Sequence, residues 1–247
     1  MLINKPFSSY KMRVAILYSG GKDSTYALQY AKERGWDVRY LISVKPTRKD
    51  CFLFHYATVE HTPTIAQMLN IPHHLLSCDV ADPTKEADIV KTAVQSLQVT
   101  NPVDAVMLGG TGLQETQIKS IQKALLPMKI EVFAAHAGLE HADVMEAMTS
   151  KGYEFIITQV ASDGLLPWLG EKITRTNLSK LIDDSLRFGF HSGGEGGYYD
   201  SLVVNCPLFA KRLEIDSMQK VIDDKYCGHV IINNLHLVEK EIEQQNI

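Results

Sequence analysis

Seven consecutive residues carry the densest chemistry in this chain: Tyr18, Ser19, Gly20, Gly21, Lys22, Asp23 and Ser24, directly after the apolar run Val14, Ala15, Ile16 and Leu17. Adjacent glycines let a backbone bend tightly and turn several N–H groups toward one point, which side chains would otherwise crowd. The helix expected from residue 22 onward adds the unpaired amide donors and partial positive charge of its N-terminus. Lys22 brings a full positive charge, and Ser19 and Ser24 bring hydroxyl donors. Together these residue types form a cradle for a phosphate. Asp23 reads as an acidic residue complementing the helix dipole.

Spacing separates this cradle from two familiar phosphate loops. A Walker A loop needs a glycine five positions before its Gly-Lys pair, but Ile16 stands there, and Asp23 replaces the hydroxyl residue after the lysine. A dinucleotide fingerprint needs staggered glycines, and these are adjacent. A second glycine-rich run, Ser192 to Gly197, leads through Tyr198, Tyr199, Asp200 and Ser201 to Cys206, Pro207, Leu208 and Phe209. Glu195 is flanked there by four glycines, where backbone can approach a ligand closely. On residue chemistry alone its carboxylate reads as a solvated glutamate in a flexible turn.

The run Ser19–Ser24 resembles the PP-loop of the ATP pyrophosphatases. Taken with Gly194–Ser201, it resembles the diphthine–ammonia ligase family, whose second domain carries a Gly-Glu-Gly-Gly-Glu-Tyr/Phe-Glu-Thr run. Cys51-Phe52-Leu53-Phe54-His55 stands where that family has Ser-Tyr-Met-Phe-His, and Trp168-Leu169-Gly170 matches its Trp-Leu-Gly. The likeness extends from about Met12 to about Ile232. It implies a Rossmann-like domain of the adenine-nucleotide α-hydrolase type and an enzyme that uses ATP and Mg2+. The implied reaction adenylates a carboxylate, diphthine on elongation factor 2, with release of pyrophosphate. Ammonium then supplies the nitrogen, giving diphthamide and AMP.

Carried onto this sequence, the resemblance makes Lys22, Asp23 and Glu195 the catalytic candidates, with Asp23 also the metal candidate, holding magnesium directly or through water. Glu195 would orient ammonium or accept its proton. Tyr18, Ser19, Gly20, Gly21, Lys22, Asp23, Ser24, His55 and Gly109 would contact nucleotide; for His55 a packed core histidine is an equal reading. Gln114, Gly194, Glu195, Gly196, Gly197 and Asp200 would contact the acceptor. The chain also departs from the family pattern. Tyr198 and Asp200 replace two glutamates, Ser201 a threonine, and Gln117 and Glu171 two arginines. Fewer cations near a site for anions weaken phosphate or carboxylate binding. Two other readings follow: an adenylating enzyme with a different acceptor, a small molecule or a tRNA base, and a nucleotide-binding protein without turnover.

The elements that must position these residues alternate. Strands are expected at 13–18, 38–44, 73–77, 104–108 and 130–133, with helices at 22–34, 60–69, 84–97 and 114–125. Such alternation gives an α/β parallel sheet covered on both faces, with ligands beyond the carboxyl ends of the strands. The Ser19 loop, the loop after Val44 and the Gly109–Gly112 turn all fall at that end. This PP-loop domain is expected over 11–135. A smaller α+β domain follows over 136–247, with helices near 140–150 and 176–187 and strands near 154–159, 199–204, 211–215 and 229–233.

Composition narrows the setting. At 247 residues, 45% hydrophobic and 22% charged, the chain is long enough and ordinary enough to bury a substantial core. No apolar run is long enough to span a membrane, and residues 1–11 lack a hydrophobic signal core. Four cysteines, without a C-x-x-C pair, read as reduced, packed thiols and not as a zinc site or disulfide frame. A cytoplasmic protein is expected. The net charge of −4 argues against nucleic acid as partner, and Lys45, Arg48 and Lys49 read as a solvated loop.

Overall fold

The computed structural model describes residues 11–48, 51, 53–54, 58–112 and 115–240. His55 and Gln114 lie outside the described residues. The first half builds a five-stranded sheet from β1 (Arg13–Leu17), β2 (Asp37–Pro46), β3 (His73–Cys78), β4 (Ala105–Leu108) and β5 (Glu131–Ala134), in the order β3-β2-β1-β4-β5. Every pairing is parallel, and Val14, Ala15 and Ile16 of the central strand are fully buried. Continuous apolar runs such as theirs belong to strands covered on both faces.

Four helices make the crossovers: α1 (Lys22–Glu33), α2 (Thr62–Leu69), α3 (Pro83–Leu97) and α4 (Glu115–Leu125). The start of α3 is written locally. Asp82 caps it by accepting from the Lys85 amide at 2.9 Å, and Pro83 occupies the first turn, where its missing N–H costs nothing. The chain builds outward from β1 to β3 and then crosses back to β4. The direction therefore reverses between β1 and β4, and a crevice opens at their carboxyl ends.

The second half begins with α5 (His141–Ser150) and forms an antiparallel sheet from β6 (Glu154–Ala161), β7 (Lys172–Ile173), β8 (Tyr199–Asn205), β9 (Lys211–Ile222) and β10 (Cys227–Glu239), with α6 (Leu178–Phe188) alongside. The last two strands are more than twice the length expected at 211–215 and 229–233. Leu213 is the single buried residue of β9, so backbone pairing across the hairpin extends it well past the apolar alternation that marks a strand in sequence. The short β7 carried no such signal either.

The two sheets share a core. Val14, Ile16, Leu28 and Met107 from the first half pack in one cluster with Phe155, Ile157, Leu202 and Val203 from the second. Helix α1 lies between them, buried around much of its circumference, and the Tyr153 hydroxyl donates to Gln29 Oε1 at 2.7 Å from the far side. A second cluster, including Tyr40, Ile42, Val90, Val94 and Ile121, fills the opposite face of the parallel sheet under α3 and α4. No helix among the described residues is long and apolar enough to cross a membrane.

Candidate active site

The cradle sits at the β1/β4 crevice. Gly20 takes a φ of +80°, a left-handed turn that disfavours any side chain. Gly21 is the N-cap of α1, with no side chain capping the helix. A Cβ on Gly21 would lie 3.0 Å from the Ser201 carbonyl, so its bareness admits β8. The loop and β8 are bonded directly: Val203 N–H donates to the Gly20 carbonyl at 2.9 Å, and Lys22 N–H donates to Ser201 Oγ at 3.2 Å. Gly109, at the end of β4, is glycine for a related reason. A Cβ there would stand 2.5 Å from Asp23 C and Ser24 N, inside the first turn of α1.

Four charged side chains then alternate in sign. Lys22 is 2% exposed; its ammonium donates to Asp23 Oδ2 at 2.7 Å and to the Gly193 carbonyl. Asp23 Oδ1 lies 3.2 Å from His141 Nε2, and His141 Nδ1 lies 3.1 Å from Glu195 Oε1. Both histidine contacts pair a ring nitrogen with a carboxylate oxygen. Glu195 is buried and accepts from Thr111 N–H at 2.6 Å and Thr111 Oγ1 at 2.9 Å. The reading of Glu195 as a solvated turn residue is therefore corrected. Its turn is folded inward and its carboxylate ties the second sheet to the loop after β4.

Burial and neighbours compete at each member. Burial would raise the Asp23 carboxyl, but Lys22 and His141 outweigh it and hold the group far below the usual carboxylate range. Burial disfavours charge on His141, yet Asp23 and Glu195 outweigh it and raise its pKa. For Glu195, burial pushes upward, and His141 with the Thr111 amide brings the net shift below the ordinary value. By contrast His136, stacked on Tyr26 at 4.5 Å, has its pKa pushed down to about 4 by burial and is a neutral packing residue.

His141 escaped sequence reasoning because it is a lone histidine on α5 with no motif around it. One trace exists in the glycines. A Cβ on Gly193 would fall 1.9 Å from the His141 ring, so the second glycine run is cut to the imidazole.

The cleft around these residues is open to solvent and encloses a cavity of about 120 Å³. Its polar wall contains Ser19, Gly21, Lys22, Asp23, Ser24, Gly109, Gln117, Gly194, Glu195, Asp200 and Ser201; its apolar wall contains Ile42, Val44, Leu53, Phe54, Val59 and Leu108. Tyr18 also lines it, with its hydroxyl 3.2 Å from Thr25 Oγ1. Gly20 stands behind the lining, and Gly196 and Gly197 are exposed on the outer side of their turn. Gln117 donates to the Leu53 carbonyl and so supports the apolar wall. Glu171 is not at the cleft: it is exposed, 3.5 Å from Lys220 on the second sheet. Its charge reversal therefore falls outside the anion site, contrary to the expectation from sequence.

Asp23 lines the cleft and carries hard carboxylate oxygens of the kind magnesium takes, Oδ1 facing His141 and Oδ2 facing the Lys22 ammonium.

Comparison with known proteins places the whole chain. The family model described as the diphthamide synthase N-terminal domain matches residues 12–125, and that of the diphthamide synthase C-terminal domain matches residues 140–238. The diphthine–ammonia ligase of Danio rerio is 27% identical over 93% of this chain and 98% of its own, and that of Homo sapiens 28% identical over 93% and 94%. A solved structure titled as a predicted tRNA methyltransferase subunit from Methanocaldococcus jannaschii aligns over 79% of this chain and 98% of its own. At 14% identity and a TM-score of 0.41, that likeness is too loose to carry weight. The chain belongs to the diphthamide synthase family, whose named relatives are enzymes.

Proposed function

With that membership as premise, we propose that this chain is an ATP-dependent amide ligase acting on diphthine of elongation factor 2. One observation carries the reading. Two glycine-rich runs some 170 residues apart meet at a single cleft, where the Lys22 ammonium of one is held by the Gly193 carbonyl of the other. In the reaction, a carboxylate oxygen of the acceptor attacks the α-phosphorus of ATP and pyrophosphate leaves. Ammonia then attacks the acyl carbon, and AMP departs with that oxygen. Splitting the reaction this way replaces one hard displacement with two easier ones.

Each residue has a task in this scheme. The N-terminus of α1 and the Lys22 ammonium lie at the cleft and offset the charge that builds on pyrophosphate. Asp23 holds Lys22 and His141 in place. Magnesium held at Asp23 would supply charge neutralisation for the phosphates. Ionised Glu195, beside His141, orients ammonium or accepts its proton, because only the free amine attacks. The apolar wall of Ile42, Val44 and Phe54 suits the adenine base.

The test is mass spectrometry on elongation factor 2 bearing diphthine, incubated with the protein, magnesium–ATP and ammonium. The expected result is diphthamide, with AMP and pyrophosphate formed in step. ATP bound tightly without any conversion would overturn the acceptor and leave a cradle serving a small molecule, a tRNA or no turnover.

A further inference from the structure

Three ligand-type side chains from separate elements meet behind the apolar wall of the cleft. Cys51 lies in the segment after β2, Cys78 ends β3, and Glu86 stands in the first turn of α3. One donor atom from each falls within 4.8 Å of the other two. Cys78 and Glu86 are fully buried and Cys51 is half-buried.

The geometry suits shared metal ligation by the two neighbouring thiols. The sulfurs are 3.9 Å apart, nearly twice the disulfide bond length of about 2.05 Å. A tetrahedral zinc ion with zinc–sulfur bonds of about 2.3 Å requires its two sulfurs roughly 3.8 Å apart. Both thiols also aim at one point, donating to the Val80 carbonyl at 3.3 Å and 3.5 Å. Glu86 is steadied from outside, since Leu53 N–H donates to its Oε2 at 2.7 Å. Metal ligands depend on outer hydrogen bonds of this kind for their orientation.

We propose that Cys51, Cys78 and Glu86 bind a thiophilic divalent cation of the zinc class. Two sulfurs select a borderline-soft ion over magnesium or calcium. Binding releases the two thiol protons to solvent, and no electron transfer is involved. The three ligands are 27 and 8 positions apart in sequence, so the site carries no C-x-x-C signature. Because Leu53 and Phe54 line the cleft two and three residues beyond Cys51, the ion would tie that wall to β3 and α3.

Cobalt(II) is the probe, added to the full chain after stripping with chelator under reducing conditions. The expected result is about one ion per chain with a sulfur-to-cobalt charge-transfer band, as two thiolates and one carboxylate on a single ion give. The band disappears in Cys51→Ser, a half-buried position whose change leaves the core intact, and in Cys78→Ser. Glu86→Gln weakens binding roughly tenfold or more, and Cys227→Ser leaves it unchanged. A wild-type chain that shows no charge-transfer band overturns the proposal. So does a band that survives Cys51→Ser, or a Cys51–Cys78 disulfide recovered from the reduced, metal-treated protein.

Discussion

The two glycine-rich turns look alike in sequence and do opposite work. The turn at Ser19–Ser24 opens a helix, and what it presents to the cleft is donors: backbone amides, two hydroxyls and an ammonium. The turn at Ser192–Gly197 opens no helix, and what it presents is acceptors: the Gly193 carbonyl and the Glu195 carboxylate. Glycines in the first serve a left-handed bend and the close approach of β8, while Gly193 in the second makes room for an imidazole. The donor turn suits the phosphates of a nucleotide, and the acceptor turn suits a cation or an attacking amine. His141 lies between them, touching a carboxylate of each.

Breaking the donor side has the largest expected effect. Asp23→Ala leaves Lys22 and His141 buried without their shared counter-charge. AMP formation should fall on the order of 10²- to 10³-fold, and turnover at the wild-type rate would sink the assignment. Breaking the acceptor side should be more selective. Glu195→Gln keeps an oxygen for Thr111 but removes the charge facing His141. The ammonia step should slow by roughly 10²-fold while adenylation stays within a few-fold. Equal loss of both steps would make Glu195 a holding residue only.

Proton binding sharpens the comparison further. The pKa of His141 is raised from its ordinary 6.5, so its stabilising contribution is complete below that value and is lost as pH rises through the folded one. Asp23 and Glu195 are shifted down from 3.8 and 4.5, so theirs is lost only as pH falls through their lowered values. Stability should therefore show an alkaline limb above pH 6.5 in unfolding measurements, and His141→Gln should remove it. An unchanged limb in that variant would assign it elsewhere. The smallest effect is expected at Glu171→Arg. Glu171 pairs with Lys220 at the surface, so stability should change by less than about 1 kcal/mol and the KM for ATP should hold.

What could be read from sequence was what is local. The PP-loop is specified by six neighbouring residues, and the alternation of apolar strand and helix around it placed the parallel sheet and the end of it that binds. Strand limits faltered in β9 and β10, where exposed polar residues pair through backbone alone. His141 stands 118 positions from Asp23, and only tertiary packing gives it two carboxylates. The burial of Glu195 depends likewise on Thr111, 84 positions away. The distance of Glu171 from the cleft could not be read from a motif, because a strand register decides it. Nor could the meeting of Cys51 with Cys78, which the pairing of β2 with β3 arranges.

The most direct test follows oxygen. Diphthine labelled with ¹⁸O in its carboxylate is incubated with the protein, magnesium–ATP and ammonium, and the nucleotide products are weighed. Attack of the carboxylate on the α-phosphorus at this cleft predicts one labelled oxygen in AMP and none in pyrophosphate. Label in phosphate alongside ADP, or amide formed with unlabelled AMP, would contradict it.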